Sequence, residues 1–217
     1  MQQRGLALAL KRAIDVTVAG TVLLATSPIL AAAAVAIVAT DGRPILFRQE
    51  RPGRHARPFT LTKFRTMSVN REKESRPEHD AERLTRVGRI LRKSSVDELP
   101  QLLNVLRGEM SLVGPRPLLT RYLERYTAEQ ARRHEVLPGM TGWAAVNGRN
   151  SLSWDQKFAL DNWYVDHWTP WLDLRILAMT AVRVLQRSNV ATEGHATSPE
   201  FMGTNGAAVA APVLPVR

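Results

Sequence analysis

Val16-Thr17-Val18-Ala19-Gly20-Thr21-Val22-Leu23-Leu24-Ala25-Thr26-Ser27-Pro28-Ile29-Leu30 opens an apolar segment that runs to Thr40 without a charged residue. At about 1.5 Å per residue, a continuous helix of this length would cover a bilayer core of roughly 30 Å. Ser27-Pro28 stands against a plain span. A proline inside a helix removes one backbone hydrogen bond and clashes with the preceding turn, and the residue before it is pushed away from helical angles. Split at that point, each arm has about 12 residues and about 18 Å, too short to span alone. A cleaved signal peptide fits the basic start and the Ala31–Ala34 run, but the apolar stretch is longer than the usual signal core.

The flanks weigh toward a third form. Arg4, Lys11 and Arg12 precede the segment, and Arg43, Arg48, Arg51 and Arg54 follow it. Both ends therefore prefer the cytoplasmic side. A re-entrant helix–break–helix, entering and leaving on one face, satisfies both, with the Ser27 hydroxyl available to backbone groups freed at the bend. A kinked span and a signal peptide are the alternatives.

The chain has 217 residues, 44% of them apolar, and a formal net charge of +10. Residues 42–93 hold 15 Lys and Arg against 6 Asp and Glu. Such a block calls for an anionic partner: nucleic acid, lipid head groups or phosphate-bearing substrates, unless it is simply a solvated basic surface. A charge-free segment of this length argues against a nucleic-acid-binding protein. With no cysteine, disulfides, thiolate metal sites and cysteine nucleophiles are excluded.

Beyond the apolar segment, residues 43–49 and 59–65 read as two short strands around a Pro52-Gly53 turn, an arginine-bearing hairpin. Residues 71–83 read as a mobile loop or exposed helix. Residues 84–106 have helical spacing closed by Gly108. Residues 127–135 read as a surface helix, and 142–150 as a loop. Four of the five tryptophans lie between Trp154 and Trp171. They form either an interfacial aromatic belt or part of an ordinary buried helical pair. Residues 172–185, apolar with Arg175 and Arg183, suit a helix lying in a membrane surface or the second member of that buried pair. From residue 204 onward Ala, Val, Pro and Gly dominate, as in a disordered tail.

The sharpest run is Arg92-Lys93-Ser94-Ser95-Val96-Asp97-Glu98-Leu99-Pro100-Gln101-Leu102. Pro100 belongs in the first turn of a helix, which sets two carboxylates beside unpaired amides at the positive helix end. Ser95-x-x-Glu98 is equally a capping box, which needs no function. Context adds weight: Gly114-Pro115-Arg116-Pro117 and Asn147-Gly148-Arg149-Asn150 each carry one arginine on a stiff loop, suited to bidentate phosphate contact.

These runs occur together with Lys11-Arg12-x-x-Asp15, Phe47-Arg48-Gln49-x-Arg51-x-Gly53, Lys63-Phe64-Arg65-Thr66-Met67, Leu112-Val113 and Pro138-Gly139-Met140-Thr141-Gly142-Trp143. Their order over about residues 11–203 resembles the small monotopic phosphoglycosyl transferases, the bacterial sugar transferase family that starts polyprenyl-linked glycans. The resemblance implies the family's minimal form, without a multi-helix N-terminal extension. It implies an α+β, mainly helical monotopic membrane protein with a re-entrant helix-break-helix over residues 1–41, broken at Ser27 and Pro28. A catalytic domain over 42–203 would hold the β-hairpin and interfacial amphipathic helices, and 204–217 would be the tail.

The resemblance further implies transfer of a sugar phosphate from a UDP-sugar to polyprenyl (undecaprenyl) phosphate at the cytoplasmic face of the bacterial inner membrane. Asp97 is then the nucleophile, Asp97 and Glu98 hold Mg²⁺, and Arg92, Arg116, Arg149, Lys63 and Arg65 meet substrate. An aspartate with an ordinary pKa near 3.9 is ionised at neutral pH and needs no base. The later runs Glu193-Gly194-His195-Ala196-Thr197 and Phe201-Met202-Gly203 resemble members acting on N-acetylated amino sugars.

Overall fold

The computed structural model describes residues 5–69, 80–148, 151–186 and 200–203. The apolar segment lies in one helix, α1 (Gly5–Asp41), which stays helical through Pro28. The expected break is therefore not a gap in the helix. Pro28 has no N–H for the Leu24 carbonyl four residues earlier, and the Ser27 hydroxyl donates to that carbonyl at 2.8 Å. The vacant acceptor is filled locally, which reduces the cost of an internal proline.

Both arms of α1 lie on the rest of the protein. Ala19 is buried in the main core, while Ala33 and Ile37 pack with Phe64 and Leu91 in a second cluster. Between these arms Leu24, Ala25, Ser27, Pro28 and Ile29 are exposed. By length and composition α1 could cross a membrane.

Polar side chains fasten α1 at each end. Lys11 Nζ donates to the Val113 carbonyl at 3.0 Å and to Asp173 Oδ2 at 2.6 Å. Asp173 also accepts from the Tyr164 hydroxyl and the Trp168 indole, so this buried charge is fully paired. Asp15 accepts from the Leu112 amide, and Arg12 donates to the Val105 and Leu106 carbonyls. At the far end the Arg65 guanidinium donates to the carbonyls of Asp41, Gly42 and Arg43 at 2.6–3.2 Å.

The hairpin follows as its alternation requires. Strands β1 (Leu46–Pro52) and β2 (Pro58–Phe64) pair antiparallel, Leu46 opposite Phe64 and Pro52 opposite Pro58. Helix α2 (Asp80–Arg83) leads to α3 (Arg86–Ser94), capped by Thr85. The single helix expected over 84–106 is interrupted: Ser95 adopts a left-handed conformation, a 3₁₀ turn covers Val96–Gln101, and α4 (Leu102–Arg107) ends at Gly108 with φ 82°.

A feature absent from the sequence reading joins two motifs. Strand β3 (Ser111–Val113) pairs in parallel with β4 (Gly139–Thr141). A Cβ at Gly114 or Gly139 would lie 2.3 or 2.1 Å from opposing backbone atoms, so only glycine permits this approach.

Helix α5 (Ala128–Ala131) starts at a capping box of Thr127 and Gln130 and continues as a 3₁₀ turn over Arg132–Glu135. The loop expected at 142–150 begins instead with a short helix, α6 (Trp143–Val146). Helices α7 (Trp154–His167) and α8 (Pro170–Leu185) close the fold.

The tryptophans mostly serve packing, as the buried alternative requires. Trp168 and Trp143 are buried, and Trp143 stacks on Trp163 with centroids 5.0 Å apart. Trp154 joins Tyr122, Tyr126, Phe158 and Phe201 in an aromatic cluster. Trp171 differs, being 75% exposed on α8, which also exposes Leu174, Val182 and Val184 while burying Leu172 and Ile176. Mainly helical, with small sheets and one long apolar N-terminal helix, the protein has the general architecture expected from its sequence. The expected tail at 204–217, residues 71–79 of the loop or exposed helix expected at 71–83, and the motif at 193–197 lie outside the described residues.

Candidate active site

Two backbone devices and one side-chain bond bring the acidic pair to the hairpin. Gly88 on α3 presses against Thr66, where a Cβ would sit 2.0 Å from the Thr66 carbonyl oxygen. One turn later Arg92 Nε donates to the Thr66 hydroxyl at 2.9 Å. Ser95 then reverses the chain with φ 59°, its N–H donating to the Arg92 carbonyl and its own carbonyl accepting from the Glu98 amide. The side-chain capping box read at Ser95-x-x-Glu98 is not formed: Ser95 closes α3 and opens the 3₁₀ segment in a left-handed conformation, with no cap bond from its side chain. Asp97 and Glu98 do stand in the first turn of the 3₁₀ segment, with Pro100 following as expected.

Asp97 is only 6% exposed. Burial and the neighbouring Glu98 raise its carboxyl pKa to about 6, against the opposing pull of Lys63, Arg92 and Arg116. The ordinary value assumed from sequence is therefore replaced by one close to neutrality. The carboxylate remains mostly ionised at pH 7, but its charge is held at a cost. Lys63, on β2, is shifted in the complementary sense: burial first, then Arg92, lowers its pKa, while Asp97 and Glu98 oppose this. Its ammonium lies 5.3 Å from the Phe47 ring centroid.

Arg116 arrives on the loop leaving β3. Its side chain is half exposed and forms an ion pair with Glu98, whose charge is the first cause of the raised Arg116 pKa. Lys63, Arg92, Asp97, Glu98 and Arg116 thus converge, as the sequence predicts. Arg65 does not join them, being buried and bonded to the carbonyls at the end of α1. Only two residues from Lys63, it lies just past the end of β2, where strand alternation no longer sets its direction and its guanidinium turns to the α1 carbonyls. Arg149 lies outside the described residues.

Arg51, of the Phe47–Gly53 motif, is a further cation near Arg116 that the sequence pattern does not single out. It lies on β1, with Nη2 donating to Gln49 at 2.6 Å and a buried Nε without a hydrogen-bond partner. Burial, then the nearby Arg116, lowers its pKa to about 10. An unpaired buried donor near Arg116 is suited to an anionic ligand.

Among the described residues no group of three or more His, Cys, Asp or Glu forms a ready metal cage. The adjacent carboxylates nevertheless fit Mg²⁺, which keeps several waters and commonly uses one or two carboxylates plus substrate phosphates. Glu98 raises the Asp97 pKa, and a cation shared by the two carboxylates would lessen that repulsion.

Residues 6–187 match the family described as bacterial sugar transferase. The chain belongs to the bacterial sugar transferase family. It is 52% identical over 195 residues to a sugar transferase of Bacillus subtilis named EpsL, whose own function is uncharacterised, covering 90% of this chain and 96% of that protein. It is 42% identical over 189 residues to a UDP-glucose:undecaprenyl-phosphate glucose-1-phosphate transferase of Caulobacter vibrioides, covering 82% of this chain and 71% of the relative. Identity is 40% over 196 residues to an undecaprenyl-phosphate galactose phosphotransferase of Salmonella typhimurium. There the match spans 82% of this chain and 41% of the relative.

Proposed function

We propose that this chain is a phosphoglycosyl transferase that moves a sugar 1-phosphate from a UDP-sugar to undecaprenyl phosphate at the cytoplasmic face of the bacterial inner membrane. The observation that carries the reading is a buried, mostly ionised Asp97 beside Glu98, facing Lys63, Arg92 and Arg116, in a member of this family. A carboxylate alone would be repelled by a diphosphate. Cations directed at that charge make the approach feasible.

In the proposed sequence an Asp97 carboxylate oxygen attacks the phosphorus next to the sugar. The bond from that phosphorus to the bridging oxygen breaks, and UMP leaves with that oxygen. The sugar phosphate remains on Asp97 as an acyl phosphate. A phosphate oxygen of the polyprenyl carrier then attacks the same phosphorus, and the bond to Asp97 breaks, restoring the carboxylate. No proton need be carried in either step. Mg²⁺, held by Asp97 and Glu98, would neutralise diphosphate charge. Arg116 and Arg51 would contact phosphate oxygens; Lys63 and Arg92 would supply positive potential around Asp97.

The long apolar α1 and the exposed Trp171 and Leu174 of α8 support attachment to a membrane. A re-entrant seating of α1, both flanks on one face, would further require α1 to bend at Ser27-Pro28 within the bilayer. UMP release by detergent-solubilised protein tests the reaction, using Mg²⁺, undecaprenyl phosphate and UDP-glucose, UDP-galactose and UDP-N-acetylated amino sugars. Release with one donor, lost in Asp97→Ala and Glu98→Ala, is expected, as is labelled sugar phosphate trapped on the wild type without acceptor. Release with no trapped label, even on rapid quenching, would refute the covalent route.

A further inference from the structure

Behind the candidate site lies a buried ion pair that touches none of its acidic groups. Arg133, 3% exposed, donates from Nε and Nη2 to Asp161 Oδ2 at 3.1 and 2.7 Å. The same Nη2 donates to the Arg116 main-chain carbonyl at 2.7 Å, and Nη1 reaches the Tyr126 hydroxyl at 3.4 Å. The guanidinium also lies over the Phe158 ring, 5.5 Å from its centroid. Its fork geometry serves a carboxylate and a carbonyl at once, which a lysine ammonium does not reproduce.

Stability is a weak account of this arrangement, because buried ion pairs can often be replaced by apolar side chains without loss. The backbone of Arg116 gives a better one. Prolines flank it, so its own conformation is restricted toward extended angles and Pro117 offers no N–H to fix the intervening peptide. On the other side, the Gly139 amide donates to the Pro115 carbonyl and holds that end to β4. The prolines narrow the orientations open to the peptide plane between Arg116 and Pro117 without fixing one, and Arg133 pins the carbonyl of that plane.

We propose that Arg133, oriented by Asp161, is a positioning residue that sets the direction in which Arg116 presents its guanidinium to Glu98 and to the substrate diphosphate. The inference rests on the reading that Arg116 contacts the diphosphate.

The test is a double-mutant cycle in the full-length, detergent-solubilised protein: Arg133→Lys alone, Arg116→Ala alone, and both together. Two quantities are measured, kcat/KM for UMP release and the affinity for UDP with Mg²⁺ by equilibrium dialysis. Arg133→Lys should lower both about tenfold while Arg116 is present, and less than twofold in the Arg116→Ala background, since coupled neighbours are non-additive. Equal losses in both backgrounds, or no loss in the first, would overturn the inference. So would an Arg116→Ala protein that binds UDP like the wild type.

Pro117→Ala frees the same peptide plane without touching the ion pair. It should show the same dependence on Arg116, and it decides the matter if Arg133→Lys does not fold. Wild-type protein that releases no UMP from any donor would instead refute the transferase reading, while the UDP cycle would still decide the role of Arg133.

Discussion

Replacing Asp97 by asparagine should make the metal-free protein more stable while abolishing UMP release. A carboxyl group whose pKa rises from 3.8 to about 6 on folding binds more protons in the folded state between those values. Stability contributed by its protonated form is therefore present below about pH 4 and is lost as pH rises through 6. The shift corresponds to about 3 kcal/mol once the group is ionised in both states. Asparagine removes the charge at nearly constant volume, so Asp97→Asn should recover up to about 3 kcal/mol at pH 7.5, or roughly 6–12 °C in melting temperature for a chain of this size. At pH 5 the gain should fall to about half, because folded Asp97 is then mostly protonated. Differential scanning fluorimetry in detergent with a chelator reads both values. A variant no more stable than wild type at pH 7.5, or a gain equally large at pH 5, would refute the reasoning. Mg²⁺ should narrow the gap by stabilising wild type selectively.

Arg65→Ala should lower the melting temperature, since it strips three carbonyls at the end of α1 of their donor, yet leave KM for the UDP-sugar within about twofold; a large KM effect would restore Arg65 to the substrate contacts. Lys11→Met should cost about 3–5 kcal/mol by leaving Asp173 buried without its cation, and Lys11→Met with Asp173→Leu should recover only part of the loss in the same thermal assay, because the Trp168 indole then loses its acceptor.

What could be read from sequence was what local pattern determines. Alternation in 59–65 and the Pro52-Gly53 turn gave the hairpin, and proline at position 100 gave the placement of Asp97 and Glu98 in a first helical turn. Local pattern misled where packing across the chain decides. Ser95-x-x-Glu98 has the spacing of a capping box, but Gly88 against Thr66 and the left-handed Ser95 commit that stretch to a reversal. The β3–β4 pair was hidden because its three-residue strands are too short to show alternation. Its trace in the sequence is the pair of glycines, 114 and 139, whose missing side chains admit the close approach. Arg65 looked like a substrate contact and Arg51 did not for one reason: a motif names a residue type without saying which partners the fold gives its side chain.

The Lys11-Arg12-x-x-Asp15 run acquires its meaning only from the fold. Lys11 and Asp15 bond to Val113 and Leu112 of β3, the strand that delivers Arg116 three residues later. Arg12 bonds to the last turn of α4, which continues the 3₁₀ segment carrying Asp97 and Glu98. Arg65 secures the other end of α1 and follows two residues after Lys63. The apolar helix is therefore bonded to the elements that supply the acids, the arginine and the lysine of the candidate site, while its exposed stretch around Ser27-Pro28 stays clear of them. A tilt of α1 would have to break several buried hydrogen bonds or carry the site with it. Seating α1 in a bilayer would thus fix the height of Asp97 above the apolar layer through buried hydrogen bonds and short runs of chain, which is what an enzyme needs if its second substrate presents a phosphate at a membrane surface.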